Sequence, residues 1–140
     1  MLRIIDASRV KKAIVAAEHM TSGEIAVSVS RAFWGSVEKA AQKAFVRLRV
    51  TQTREHNGVL IFVVPARRRF VVLGDSGIHE RVGQEFWERV AAQLSEHFRS
   101  GNFTEGLVRA IEEIGTQLAA HFPYQADSDV DELPDDVDFR

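Results

Sequence analysis

The chain has 140 residues, of which 45% are hydrophobic and 27% are charged, a composition typical of one globular domain. It contains no cysteine, which excludes disulfides, thiolate metal sites and cysteine nucleophiles. It has no apolar run of about 18 residues, so no transmembrane helix is expected. Residues 1–6 include charges and lack the pattern of a signal peptide. These features predict a cytoplasmic protein.

The net charge of −2 conceals an asymmetry between the body of the chain and its C-terminus. Residues 125–140 carry seven acids and one base, whereas residues 1–124 have a net charge of +4. We therefore expect a single domain over 1–124 and an acidic tail over 125–140. We further expect the segment 130–137 to dock on the basic body, with Leu133 in an apolar groove. A disordered tail, or one docked on a neighbouring molecule, is the alternative.

Hydrophobic periodicity predicts helices and strands that alternate along the first half of the chain. The first helix follows a cap at Asp6 or Ser8. Strict alternation over 24–30 predicts a strand with one face more buried than the other. A second helix begins after Ser36, and the continuous apolar run 58–64 is typical of a central strand covered on both faces.

A hairpin and two helices complete the predicted domain. The turn 65–68 connects the second strand to an antiparallel third strand over 69–73. A long helix follows the turn 74–77, and a last helix begins at a capping-box pair, Asn102 and Glu105.

The order of these elements predicts the fold class. The first two strands are connected through a helix, so they are expected to be parallel with a right-handed crossover. The remaining helices are sufficient to cover the sheet on both faces. We therefore predict an α/β protein, a three-layer α/β/α sandwich with a small mixed sheet.

The predicted strand directions bring three polar segments to one edge of the sheet. The first two strands begin at this edge and the antiparallel third strand ends there, next to a helix N-terminus that favours negative groups. The polar side chains brought together in this way are Glu24, Glu55, His56, Asn57, Asp75 and Ser76.

Oxygen-rich side chains on loops are what a hard cation such as Ca²⁺ or Mg²⁺ requires. The sequence therefore predicts Glu24, Asn57, Asp75 and Ser76 as metal ligands, with Asp75 as the candidate catalytic residue. The alternative is that Asp75 only caps the following helix and that Glu24 is a solvated charge at the strand edge.

Other chemistry has weaker signals. The five histidines lack the spacing of a zinc site, and no phosphate-binding loop is present. The arginines at 67–69 indicate a solvated turn rather than a nucleic-acid site. Phe33 and Trp34 are expected to pack locally, with a partner surface as the alternative, and Phe86 and Trp87 are expected in the core.

Six short motifs occur in order along the chain, at 21–25, 57–61, 74–78, 98–103, 121–123 and 132–135. Together they resemble the motifs of the TPM domain family, which is named for thylakoid lumen, photosystem II repair and acetylcholine-receptor modulator proteins. The resemblance covers nearly all of residues 8–137. It implies a Rossmann-like α/β/α sandwich, often with a divalent cation near the loops, and the acid phosphatase activity reported for the chloroplast member. Many members carry a signal peptide and a membrane helix, and this chain looks like the short, soluble bacterial form.

Two functions follow from the residues and the resemblance. The first is a divalent-cation-binding regulatory or interaction module that recognises an unidentified protein partner. The second is a metal-assisted phosphomonoesterase, with Asp75 as ligand or nucleophile and Glu24 as second ligand or base. Only Arg54 is expected near this edge to bind phosphate oxygens, so the first is favoured. Nucleic acid is not an expected partner, and the oligomeric state stays open between monomer and weak oligomer.

Overall fold

The structure is a computed structural model that describes residues 5–31, 34–124 and 135–139. Two 3-10 turns, Val50–Gln52 and Pro65–Arg67, accompany the regular elements. In chain order the helices and strands are α1 (Ala7–Glu18), β1 (Glu24–Val29), α2 (Val37–Arg47), β2 (Gly58–Val64), β3 (Arg69–Gly74), α3 (Ser76–Arg99), α4 (Phe103–His121) and β4 (Asp138–Phe139).

The described strands form one mixed sheet in the order β3-β2-β1-β4. β1 pairs with β2 in parallel, with Glu24 opposite Gly58, and β2 pairs with β3 in antiparallel fashion, with Val59 opposite Gly74. The predicted strand directions are therefore confirmed. The sequence predicts only three strands, and this is wrong because β4 also pairs with β1. A strand of two residues is too short to show alternation.

Helices cover both faces of the sheet, as the sequence predicts. One face packs against α1, α3 and α4, and its core includes Val27 and Ile61. The other face packs against α2 and the turn at Val50, around Ala26 and Leu60. All six residues of β1 are buried, so the expectation that one face of this strand is more buried than the other is wrong. The alternation of larger and smaller side chains along β1 therefore does not mark a solvent-exposed face, because the face with Ala26 is covered by α2.

Side-chain caps fix the starts of α1 and α2. Asp6 caps α1, since its Oδ1 accepts hydrogen bonds from the amides of Ser8 at 3.1 Å and Arg9 at 3.2 Å. Ser36 caps α2 through its Oγ, which accepts from the amide of Lys39 at 3.1 Å. Each cap satisfies amides that the helix itself leaves unpaired.

The capping box predicted for α4 is wrong. The Asn102 side chain makes no capping hydrogen bond. Glu105 instead binds Arg9 of α1, with 2.8 Å between Nη2 and Oε2. Because the Glu105 carboxylate is paired with Arg9 on the neighbouring helix, the carboxylate does not bind the backbone amide of Asn102.

The ion pair between α1 and α4 leads to a pH prediction. The hydrogen bond that the Glu105 carboxylate accepts from Arg9 lowers the pKa of Glu105 below its ordinary value. A lowered folded-state pKa stabilises the fold above the unfolded pKa, and this contribution is lost as pH falls through the folded value. We expect an NMR titration of the Glu105 carboxyl to show a lowered pKa, and Arg9→Gln to raise it toward normal. An unchanged Glu105 titration in this variant would contradict the assigned cause.

α3 is not a continuous helix. Gly83 has φ +76° and ψ 171°, which interrupts the helix at a conformation that glycine adopts readily. The sequence predicts one unbroken helix here, because Val82 and Phe86 keep the four-residue spacing across the break. Within the described ranges, no helix is both long and apolar enough to cross a membrane.

The aromatic predictions have mixed outcomes. Phe86 is buried and Trp87 packs against the same core, as predicted. Trp34 is 84% exposed, so the expected local packing is wrong for this residue. Its loop is held through the backbone instead, since Arg67 donates to the carbonyl of Gly35 at 3.0 Å. Phe33 lies outside the described residues.

Residues 135–139 lie against the domain. Val137 packs against the core beneath α1, and Asp136 lies 2.8 Å from the Lys11 ammonium. Both contacts join the acidic end of the chain to the basic body. Leu133, expected in an apolar groove, is outside the described residues.

Candidate functional site

The amino ends of β1 and β2 and the carboxyl end of β3 meet at one edge of the sheet, called the amino edge below. The Glu24 amide donates to the Asn57 carbonyl at 3.4 Å, and the Asp75 amide donates to the Gly58 carbonyl at 2.9 Å. Glu24 and Asp75 therefore lie on either side of the start of β2. Two strand spacings place their backbones about 10 Å apart.

A cluster of polar side chains lies at the amino end of β2. Ser22 donates from Oγ to Glu55 Oε2 at 2.6 Å, and Asn57 donates from Nδ2 to the same oxygen at 3.2 Å. Asn57 is 2% exposed, and its backbone N–H donates a hydrogen bond to Thr53 Oγ1 at 3.2 Å. Of these groups, the carboxylate, the hydroxyl and the carboxamide oxygen are ligand types suited to a hard cation, while the carboxamide nitrogen is directed at Ser22 and Glu55.

Asp75 has two roles at this edge. Its Oδ1 accepts the amide of Ser76 at 2.8 Å and so caps α3. Its Oδ2 lies 3.2 Å from Nδ1 of His56. The Asp75 side chain is 12% exposed, whereas the His56 ring is 58% exposed. The capping interpretation therefore holds for one oxygen, while the other faces the 55–57 turn.

The first turn of α3 fixes the backbone between these groups. A Cβ on Gly77 would overlap the backbone carbonyl oxygens of Glu55 and His56. His56 itself has φ +52°, a left-handed conformation that L-residues adopt at a cost. The backbone of the turn therefore lies directly against Gly77, and the side chains of Glu55 and His56 are exposed.

Glu24 lies two strands from Asp75 at the amino edge, since both residues are opposite Gly58 of β2. It is 4% exposed, so the alternative of a solvated charge is wrong. Alternation along β1 directs its side chain to the face that Ala26 shares with α2. Ile78, in the first turn of α3, joins the larger core on the other face.

The structure thus brings Asn57 and Asp75 to one turn together with Glu55, Ser22 and His56. Sequence analysis did not assign ligand roles to Ser22 or Glu55, whose contacts depend on loop conformation. Among the described residues, no three His, Asp or Glu side chains form a group that could hold a metal ion by themselves. A cation at this edge would need neutral oxygens and water to complete its shell.

Comparison with known proteins gives the family. A family model described as the TPM domain matches residues 1–117, most of the chain. The chain belongs to the TPM domain family. This confirms the resemblance carried by the sequence motifs. No curated protein matches the chain.

Solved structures share this fold. The TPM domain described here is similar to the BA42 protein from the psychrophilic bacterium Bizionia argentinensis, with 36% identity and a TM-score of 0.89 over 100% of this chain and 98% of that one. The N-terminal domain of a P. gingivalis protein is 21% identical, with a TM-score of 0.68 over 87% of this chain and 83% of that one. The N-terminal domain of the cg2496 protein from Corynebacterium glutamicum is 15% identical, with a TM-score of 0.59 over 79% and 70%. The last two show the fold alone.

Proposed function

We propose that this TPM domain is a divalent-cation-binding regulatory or protein-interaction module, with its ion at the amino edge. The observation that supports it is the position of two carboxylates from separate segments. Glu55 and Asp75 flank one turn, and Asn57 and Ser22 lie beside it. Ca²⁺ or Mg²⁺ bound there would take these oxygens together with Ser76, backbone carbonyls and water.

Electrostatics favours a cation at this edge over an anion. Glu55 and Asp75 place two carboxylates beside one turn, and Glu24 is buried one strand away at the same edge. The helix N-terminus, which would attract an anion, is already capped by Asp75. Two carboxylates with neutral oxygens give a weak site, because tight calcium sites use more charged ligands. Weak binding suits a module that responds to cation concentration.

Calorimetric titration of the full chain with Ca²⁺ and with Mg²⁺ tests the proposal. We expect Asp75→Asn and Glu55→Gln each to weaken binding by about tenfold, since each removes one charged ligand. Asparagine also caps helices well, so Asp75→Asn is expected to leave the fold intact. Glu88→Gln, which neutralises an exposed carboxylate farther along α3, is the matched control.

The proposal fails if neither site variant weakens binding, or if the control weakens it equally. Hydrolysis of p-nitrophenyl phosphate with Mg²⁺, retained in Glu88→Gln and lost in Asp75→Asn, would instead make the site catalytic. The cytoplasmic location and the protein partner remain predictions of the sequence.

A further inference from the structure

The outer edge of β1 contains a second polar site, formed by Ser28 and Arg47. Ser28 is fully buried, and its hydroxyl donates to Oδ2 of Asp138 at 2.7 Å. Arg47 of α2 donates from Nη1 to Oδ1 at 3.2 Å and from Nη2 to Oδ2 at 2.8 Å. One carboxylate on β4 thus accepts hydrogen bonds from a strand and from a helix.

This arrangement selects a carboxylate. Ser28 lies between Val27 and Val29 in an otherwise apolar part of β1, and a buried hydroxyl without an acceptor is unfavourable. The planar guanidinium of Arg47 matches the two oxygens of a carboxylate in a fork. A neutral side chain at the position of Asp138 would satisfy only part of these donors.

The described part of the C-terminal segment pairs with β1 over a short stretch. Among the described residues, β4 pairs with β1 at Ser28 and Val29. Phe139 is 52% exposed, and the pair between Asp136 and Lys11 is on the surface, where ion pairs are weak. A backbone pairing of two residues is short enough to be replaced by a competing strand that carries the same carboxylate.

We propose that the outer edge of β1 is a binding site for an extended peptide that carries a carboxylate between two apolar residues and runs parallel to β1. Val137, Asp138 and Phe139 occupy this site in cis and show the pattern that it accepts. The ligand is a segment of the same chemistry on a partner protein, added to the sheet as a further strand. The site is separate from the amino edge and does not depend on cation binding.

The other end of β1 limits the length of the bound strand. The Ile25 amide, near the start of β1, is taken by the Glu18 carboxylate of α1 at 3.2 Å. A partner strand therefore pairs only with the carboxyl half of β1, as β4 does. Recognition depends on the single carboxylate and its apolar neighbours rather than on a long ladder.

The test is binding of a labelled synthetic peptide of residues 125–140 to the full-length chain. An intact cis segment competes at the effective concentration of a tethered ligand, which is in the millimolar range. We expect the peptide to bind Asp138→Asn at least tenfold more tightly than the unmodified chain, with amide shifts at Ser28 and Val29. Val137→Ser, which weakens the cis segment and leaves Ser28 and Arg47 unchanged, is a second host and is expected to behave in the same way.

Two controls identify the carboxylate site. A peptide that carries Asp138→Asn is expected to bind at least tenfold more weakly, and combining Arg47→Gln with Asp138→Asn in the host is expected to remove the gain. The proposal is overturned if the amides of β4 are released in both hosts and the peptide still fails to bind. It is also overturned if binding is indifferent to Arg47, or if β4 remains docked in both hosts.

Discussion

Replacing Phe98 with alanine is expected to lower the free energy of unfolding by about 3–5 kcal/mol. Phe98 is 1% exposed at the end of α3. Its ring makes edge-to-face contacts with Phe70 of β3 at 5.3 Å and Phe103 of α4 at 4.8 Å. The substitution therefore opens a cavity where two helices and the sheet meet, and it also removes two aromatic contacts.

Urea unfolding followed by circular dichroism measures this effect. Val46→Ala is the control, since Val46 is 68% exposed on α2 and is expected to change stability little. A loss below about 1 kcal/mol for Phe98→Ala would show that this junction is not tightly packed.

Gly77→Ala is expected to destabilise the fold by up to about 3 kcal/mol and to weaken cation binding at least tenfold. The added methyl would contact the backbone oxygens of Glu55 and His56, which cannot move aside as a side-chain end can. Either α3 or the 55–57 turn must shift, and each shift separates Glu55 from Asp75.

Thermal unfolding and cation titration of the same sample check both effects. His79→Ala, an exposed substitution in the same part of α3, is the control. If Gly77→Ala loses stability and retains full cation affinity, the turn does not form the site.

Much of the fold is predictable because it depends on local patterns. The continuous apolar run of β2 shows that both of its faces are covered, and Pro65 marks its end. Two of the features that the sequence misses depend on contacts between distant segments. β4 pairs with β1 across 110 positions, through Asp138 and Ser28, and Glu105 binds Arg9 across 96 positions.

The candidate site is predictable to the level of the strand edge. Strand direction alone predicts that Asn57 and Asp75 lie at the same edge of the sheet, and in the structure both residues lie at this edge. The contributions of Ser22 and Glu55 depend on the left-handed turn at His56, which no periodic pattern reveals. Glu24 lies at the same edge, and its burial at 4% exposure is a feature that strand direction alone does not predict.

The central claim is that a cation binds at the amino edge, and chemical-shift mapping tests it most directly. A ¹⁵N-labelled full-length chain is titrated with Ca²⁺ at constant ionic strength. We predict saturable shifts in the amides of Ser22, of residues 55–57 and of residues 75–77. Shifts confined to the acidic segment 125–140 would contradict the claim.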